Sequence, residues 1–176
     1  MFCLCLKSFV LKCGDYLKKF GRAVKKKLSK KKKIGLFVEG RLLLKDRNLE
    51  ELRLITGPLE ELGSIRVSKI FFDHAIDERV MDEIVNVGFS PIMLSGDIDV
   101  HIAIEALELI LEDKVDMIAI VANNPNYIPV LNFAREEGKE TVVITDSKST
   151  DTSLENFADI LVYYDLLKVI GSKKKE

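Results

Sequence analysis

The chain contains no tryptophan and no glutamine, only two histidines, and three cysteines that all fall within the first thirteen residues. Cys3, Cys5 and Cys13 have no histidine near them, so the paired Cys–His spacing of a zinc module is missing. They are expected to lie reduced on the apolar side of a helix. With no cysteine after Cys13, the remainder cannot hold a structural disulfide, which fits a cytoplasmic setting. No stretch reaches the roughly 18 to 20 apolar residues that a bilayer span needs. The opening MFCLCLKSFVL is interrupted by Lys7 and leads to no small-residue cleavage site, so secretion is not expected. Three phosphate or nucleophile signatures are also missing: the Walker loop, G-x-G-x-x-G and G-x-S-x-G.

What is present is strongly polarised. The 176 residues are 47% hydrophobic and 31% charged, enough for one domain with its own core, and the formal net charge is only −1. Residues 1–33 nevertheless carry twelve Lys/Arg and a single acid, Asp15, while residues 34–176 carry fifteen basic and twenty-seven acidic residues. A basic arm is joined to an acidic domain.

In the arm, Phe2, Leu6, Phe9, Cys13, Leu17, Phe20 and Val24 recur every three or four residues, which places them on one helical face. Lys7, Lys12, Lys18, Lys19, Arg22, Lys25 and Lys26 fall mostly elsewhere, and Lys30, Lys31, Lys32 and Lys33 close the segment. A basic amphipathic helix suits an anionic membrane surface, a partner protein or a run of phosphates; a solubilising linker is the plainer reading. Removal of residues 1–33 is expected to leave the domain folded and to weaken binding to nucleic acid or anionic lipid. Residues 167–176 read as a short basic tail.

From Ile34 onward the pattern alternates short apolar runs with amphipathic segments. It predicts strands at 34–38, 65–72, 91–94, 116–122, 140–145 and 160–163. Helices are predicted at 48–62, 77–87, 100–112 and 126–137, with a short one near 153–158. Gly57-Pro58 is expected to kink or divide the first helix, and Gly88 and Gly138 to stop two others. The strands are continuously apolar, as in a parallel sheet covered on both faces. The expected fold is therefore α/β: three layers, doubly wound, around a mainly parallel sheet.

Such sheets bind ligands beyond the carboxyl ends of their strands. The residues there are Glu39-Gly40-Arg41, Ser95-Gly96-Asp97-Ile98-Asp99, Asn123-Asn124-Pro125-Asn126 and Asp146-Ser147. Carboxylates and amides dominate, an oxygen-rich set suited to Mg²⁺ or Mn²⁺. Each also has a structural reading. Asp99 stands where a helix N-cap belongs, and Asn124 and Asn126 can cap the helix that follows. His101, Glu105, Glu108 and Glu112 can simply form a solvated helix face.

The ordered segments GLFVEG, GFSPIMLSGDIDVHIAIEALEL, VDMIAIVANNPNYIPVLNFAREEGKETVVI and SLENFADILVY resemble the NYN domain. That family has a PIN-like nuclease fold and includes the LabA-like proteins, and the likeness is greatest to its archaeal branch. It covers about residues 34–166. The resemblance implies a metal-dependent ribonuclease, with carboxylates holding a divalent ion. Carried onto this chain, it assigns catalytic positions to Glu39, Asp99, Glu105 and Asn124. Glu39, Asp97, Asp99, Asn124 and Asn126 become the metal positions, with Asp146 as a further acid, and the metal would be weakly held Mg²⁺ or Mn²⁺. Arg41, His101 and Lys30 to Lys33 are the expected RNA contacts.

The departures from the family pattern fall at that site. The first strand of the family usually ends Asp-Gly-x-Asn, and here it reads Glu39-Gly40-Arg41-Leu42. The fourth is usually followed by Asp-x-Asp-Phe-x-Pro, here Asn124-Pro125-Asn126-Tyr127-Ile128-Pro129. An amide offers one neutral acceptor oxygen where a carboxylate offers a charge and two. The expectation is a weakened nuclease that acts mainly by binding RNA or a protein partner. The rivals are an active divalent-metal ribonuclease and a peripheral membrane adaptor held by the arm. Glu39 and Asn124 are expected on adjacent strands, converging with Asp99 and Glu105 around one cleft.

Overall fold

The computed structural model describes residues 31–43, 50–147 and 152–167. The chain divides into two units, Met1–Lys31 and Lys32–Glu176. All the elements below belong to the second; the arm expectations for residues 1–30 lie outside the described residues, as does Lys30.

The elements are β1 (Lys32–Glu39), α1 (Gly40–Leu43), α2 (Glu50–Leu62), β2 (Gly63–Phe72), α3 (Glu78–Asn86), β3 (Ser90–Met93), α4 (Ile98–Leu111) and β4 (Met117–Val121). A 3₁₀ turn (Pro125–Tyr127) then leads into α5 (Ile128–Glu136), β5 (Glu140–Thr145), α6 (Thr152–Phe157) and β6 (Ile160–Tyr163). The six strands form one sheet in the order β3-β2-β1-β4-β5-β6, and every pairing is parallel. The sheet is thus wholly rather than mainly parallel. Continuous burial along β4 and most of β1 explains the unalternating apolar runs.

Alternation along each strand still sorts the core into two faces. Phe37, Phe71, Ile118, Ile120 and Val143 share one buried cluster with Ile102 and Ala106 of α4, Val130 and Leu131 of α5, and Leu154 of α6. Leu52, Ile55 and Leu59 of α2 are buried outside that cluster, where α2 packs on β2. Strand order reverses between β1 and β4, so the crevice at their carboxyl ends is where such a sheet places a ligand.

Three helices end alike. Gly88 and Gly138 adopt φ of 96° and 71°, and Asp113 adopts 51°. In each case the next residue's N–H reaches back: Phe89 to Ile84 O at 3.1 Å, Lys139 to Ala134 O at 2.8 Å and Lys114 to Leu109 O at 3.1 Å. These are Schellman closures, with glycine the natural occupant of the left-handed position.

Element limits differ from the sequence reading by one or two residues in several places, and three of the differences have a clear physical cause. Helix α2 is not divided at Gly57-Pro58 but runs unbroken with Pro58 inside it. The apolar stripe Leu52, Ile55 and Leu59 is buried to within 1%, and that packing outweighs the lost N–H donor of proline. Helix α4 begins at Ile98, and its N-cap is Asp97 rather than Asp99: Asp97 Oδ1 accepts the Asp99 N–H at 2.9 Å. Burial of Ile98 at 2% exposure draws that residue into the core and starts the helix earlier. Strand β1 begins at Lys32, two residues before the expected start.

The early start of β1 has a measurable cost attached. The Lys33 N–H donates to Asp116 Oδ2 at 2.8 Å while Lys33 O accepts the Asp116 N–H at 2.8 Å, and Lys32 pairs with Glu140. A chain beginning at Ile34 should therefore be less stable than one beginning at Lys32 by about 1–2 kcal/mol, mostly from the hydrogen bonds. Urea unfolding of the two truncations measures the difference. Equal midpoints would contradict the placement of Lys32 and Lys33 in the strand.

Candidate functional site

Glu39 is the last residue of β1, and Asn124 follows the end of β4, its neighbour in the sheet. Between them, α4 delivers Asp99 in its first turn. Gly40 is required at the start of this edge: a Cβ there would lie 2.4 Å from the Phe72 ring and 2.7 Å from the Phe71 carbonyl oxygen. The ends of β1 and β2 therefore pack backbone against ring, which holds Glu39 and the residues after β2 at one level.

The centre of the site is the Asp99 carboxylate. Its Oδ2 accepts from Asn126 Nδ2 at 2.7 Å. Its Oδ1 accepts from the Tyr127 hydroxyl at 2.5 Å and, at a long 3.5 Å, from Asn124 Nδ2. Asn124 also caps the 3₁₀ turn, its Oδ1 accepting the Asn126 N–H at 2.9 Å. The capping role foreseen for the amides is present in Asn124, which also makes a contact with Asp99 that the sequence reading did not include. Their direction is the unexpected part. The amide nitrogens face Asp99, so they act as donors to the acid.

Tyr127 was missed in the sequence. It stands where the family pattern has phenylalanine, and that single added hydroxyl was the available signal. The side chain is 1% exposed. Burial, and then its bond to Asp99, hold the hydroxyl far above the ordinary phenol range, so it remains a donor.

Glu39 sits beside this cluster with one oxygen unsatisfied: Oε2 is buried and finds no hydrogen-bond partner among the described residues. Burial pushes its carboxyl above the usual range, the Asp99 charge pushes it further, and Arg41 opposes the shift, with Asp73 and Asp97 adding smaller pushes upward.

The remaining predicted residues lie around or away from this centre. Asp97 caps α4. His101 is half-buried on α4, and its N–H donates to Asp97 O at 3.3 Å. Glu105 is further along α4 and forms an ion pair with Lys69 of β2; the structure does not bring it into the Asp99 hydrogen-bond set. Arg41 Nη2 lies 3.1 Å from Asp73 Oδ2, and Asp73 Oδ1 lies 2.8 Å from His74 Nδ1. Asp73 and His74 follow β2 directly and were overlooked, although the same strand-end rule applies to them. Asp146 acts instead on Tyr164, whose hydroxyl burial pushes up to about 12, with Asp146, Glu51 and Asp165 adding to the rise. Lys31, Lys32 and Lys33 are at the opposite, amino edge of the sheet. The seven steps of β1 between Lys32 and Glu39 correspond to about 23 Å.

A wholly parallel sheet with a polar site at its reversal point defines a doubly wound α/β domain. The NYN domain profile matches residues 33–167, and the chain belongs to the NYN domain family, a nuclease-type family. An uncharacterized protein of Methanocaldococcus jannaschii is 29% identical over 130 residues, which cover 74% of this chain and 54% of that relative. The chain thus spans about half the length of the curated relative it matches. A crystal structure of a protein of unknown function from Vibrio parahaemolyticus superposes with a TM-score of 0.63 at 18% identity, covering 78% of this chain and 95% of that one. That likeness concerns the fold alone.

Nucleases of this family generally use divalent metals. Among the described residues, no group of three or more His, Cys, Asp or Glu side chains is arranged to hold one. Glu39 Oε2 could serve as one anionic ligand, but both Asp99 oxygens already accept hydrogen bonds and Asn124 Oδ1 is taken by its cap. Hard cations demand several oxygen ligands, largely anionic. The donor set present does not fit such an ion.

The raised Glu39 pKa sets a pH dependence. Its proton is bound more tightly in the folded than in the unfolded chain. That contribution to stability is present at acid pH and is lost as pH rises through the folded-state pKa, above which ionised Glu39 is a penalty. Glu39→Gln, which never ionises, should melt higher than the wild type at about pH 8, and the gap should narrow steadily as pH falls toward the ordinary glutamate value of roughly 4.3. A gap of the same size at both pH values would show that Glu39 is not perturbed.

Proposed function

We propose that this protein is an NYN-domain member of the metal-dependent ribonuclease type whose centre is weakened for cleavage, and that it acts mainly by binding RNA. One observation carries the reading: the Asp99 carboxylate is bound by neutral donors, two amides and a phenol. Hydrolysis of a phosphodiester by such a family needs a bound metal to acidify water and steady the developing charge. Donors in place of ligands remove that requirement's foundation while leaving a polar crevice at the sheet's reversal point. The RNA contacts in this reading are Arg41 and His101 at the crevice, and the lysine-rich segment through its phosphate affinity.

A second reading, an active divalent-metal ribonuclease, draws on the unsatisfied Glu39 Oε2 beside Asp99. In that case a weakly held Mg²⁺ or Mn²⁺ would need to displace the amides. A membrane adaptor held by residues 1–33 has less support. No helix among the described residues is long and apolar enough to cross a membrane, and peripheral attachment would rest on the arm's charge alone.

The decisive variant is Asn124→Asp combined with Asn126→Asp. Two added carboxylates next to Asp99 repel one another and raise one another's pKa values, so the metal-free variant should melt below the wild type. Mn²⁺ should restore it, because a ligand bound by the native state alone stabilises that state. RNA cleavage should appear with Mn²⁺ in the variant and stay near background in the wild type. Brisk cleavage by the wild type would favour the active enzyme. A double variant that neither binds Mn²⁺ nor cleaves would place the loss at Arg41-Leu42 instead.

A further inference from the structure

The Arg41, Asp73 and His74 side chains form a chain of contacts, of which only Arg41 enters the reading above. They lie at the carboxyl ends of β1 and β2, on the flank of the Asp99 centre. Asp73 gives one oxygen to each neighbour: Oδ2 is 3.1 Å from Arg41 Nη2 and Oδ1 is 2.8 Å from His74 Nδ1. The His74 ring also stands edge-on to the Phe72 ring, with centroids 6.2 Å apart at 84°. Phe72 is in turn locked against Gly40. A guanidinium and an imidazole are thereby fixed relative to each other, yet their side chains remain 58% and 56% exposed.

The chemistry of this arrangement is specific. A guanidinium engaged through one nitrogen keeps the rest of its donor fork free, a fork suited to phosphate oxygens. An imidazole whose Nδ1 faces a carboxylate presents Nε2 outward. In its imidazolium form the ring donates from both nitrogens, Nδ1 to Asp73 and Nε2 to an incoming phosphate oxygen. We propose that Arg41 and His74 together form a subsite for one internal phosphodiester of single-stranded RNA, with Asp73 as the positioning residue. This deepens the RNA-binding reading and rests on it.

The surroundings decide which phosphate fits. Asp73 lies within the subsite itself, and Glu39 stands close enough for Arg41 and Asp73 to act on its carboxyl, so acidic groups at the subsite oppose an anion. An internal diester carries a single negative charge, while a terminal monoester approaches two at neutral pH. The acidic surroundings penalise the second more. The Asp99 carboxylate is engaged by Asn124, Asn126 and Tyr127, whose donors are thereby committed to it, so the contacts to a phosphate fall to Arg41 and His74.

The chain has only two histidines, which makes the test direct. A hydroxyl-ended decauridylate is titrated into the full chain, and the two imidazole Cε1–H signals are followed by NMR alongside fluorescence binding at several salt concentrations. The His74 signal should shift with added RNA and saturate with binding. Arg41→Ala and His74→Ala should each weaken binding roughly 3- to 10-fold and lower the salt slope by about one, as expected for a lost phosphate contact. Combining them should cost less than the product of the two, because both contact the same phosphate. Asp73→Asn should reduce the His74 response while leaving Arg41 in place. RNA binding with an unmoved His74 signal and unchanged variants overturns the subsite and leaves the RNA reading intact. Absence of RNA binding by the wild type overturns both. A 5′-phosphorylated strand that binds more than tenfold tighter, with the gain lost in Arg41→Ala, overturns the assignment to an internal diester.

Discussion

The site is organised by the need to satisfy the Asp99 carboxylate. A carboxylate drawn toward a protein's interior must find a cation or several donors, since leaving it bare costs far more than the net worth of any one hydrogen bond. Here it finds three donors from a single turn: Asn124, Asn126 and Tyr127. The two short bonds, from Asn126 and Tyr127, are of the charged-acceptor kind that contributes roughly 1.5–3 kcal/mol each, so the turn after β4 and the first turn of α4 are tied together through one side chain. The cap that Asn124 supplies to the 3₁₀ turn aims the same donors. Local turn geometry and the site's electrostatics are one arrangement.

Asn124, Asn126 and Tyr127 act in concert. Two amides and a hydroxyl, all neutral donors, make the loop after β4 complementary to an anion on α4. Glu39 is consistent with this. Its one unsatisfied oxygen and upward-shifted carboxyl are what a second acid becomes beside Asp99 when no positive charge lies between them.

Much of the fold was legible because its signals are local and repeated. Unalternating apolar runs announced a parallel sheet, and Gly88 and Gly138 marked helix ends that the structure closes through left-handed residues. Element type was read well, while boundaries failed where packing overrode local preference. Burial of Leu52, Ile55 and Leu59 carries α2 through Pro58, and burial of Ile98 moves the cap of α4 from Asp99 to Asp97. The candidate site was legible as a set of residues and less so in its wiring. Sequence placed Glu39, Asp99 and Asn124 at one edge, but nothing in it tells whether an amide presents its oxygen or its nitrogen. The ion pair of Glu105 with Lys69 joins residues 36 apart in the chain, a relation set by where α4 crosses β2. Asp73 and His74 were visible to the strand-end rule and were passed over because no family motif drew attention to them.

The central claim is that donors from the protein hold Asp99 where a divalent cation would otherwise sit. A Mg²⁺ titration of the full chain, followed on the side-chain amide signals of Asn124 and Asn126 by ¹⁵N NMR, tests it most directly. The account predicts amide positions typical of a carboxylate-bound NH₂ and no saturable change through millimolar Mg²⁺. A saturable shift of both amides, with the Tyr127 hydroxyl released in step, would contradict it and return the site to a metal.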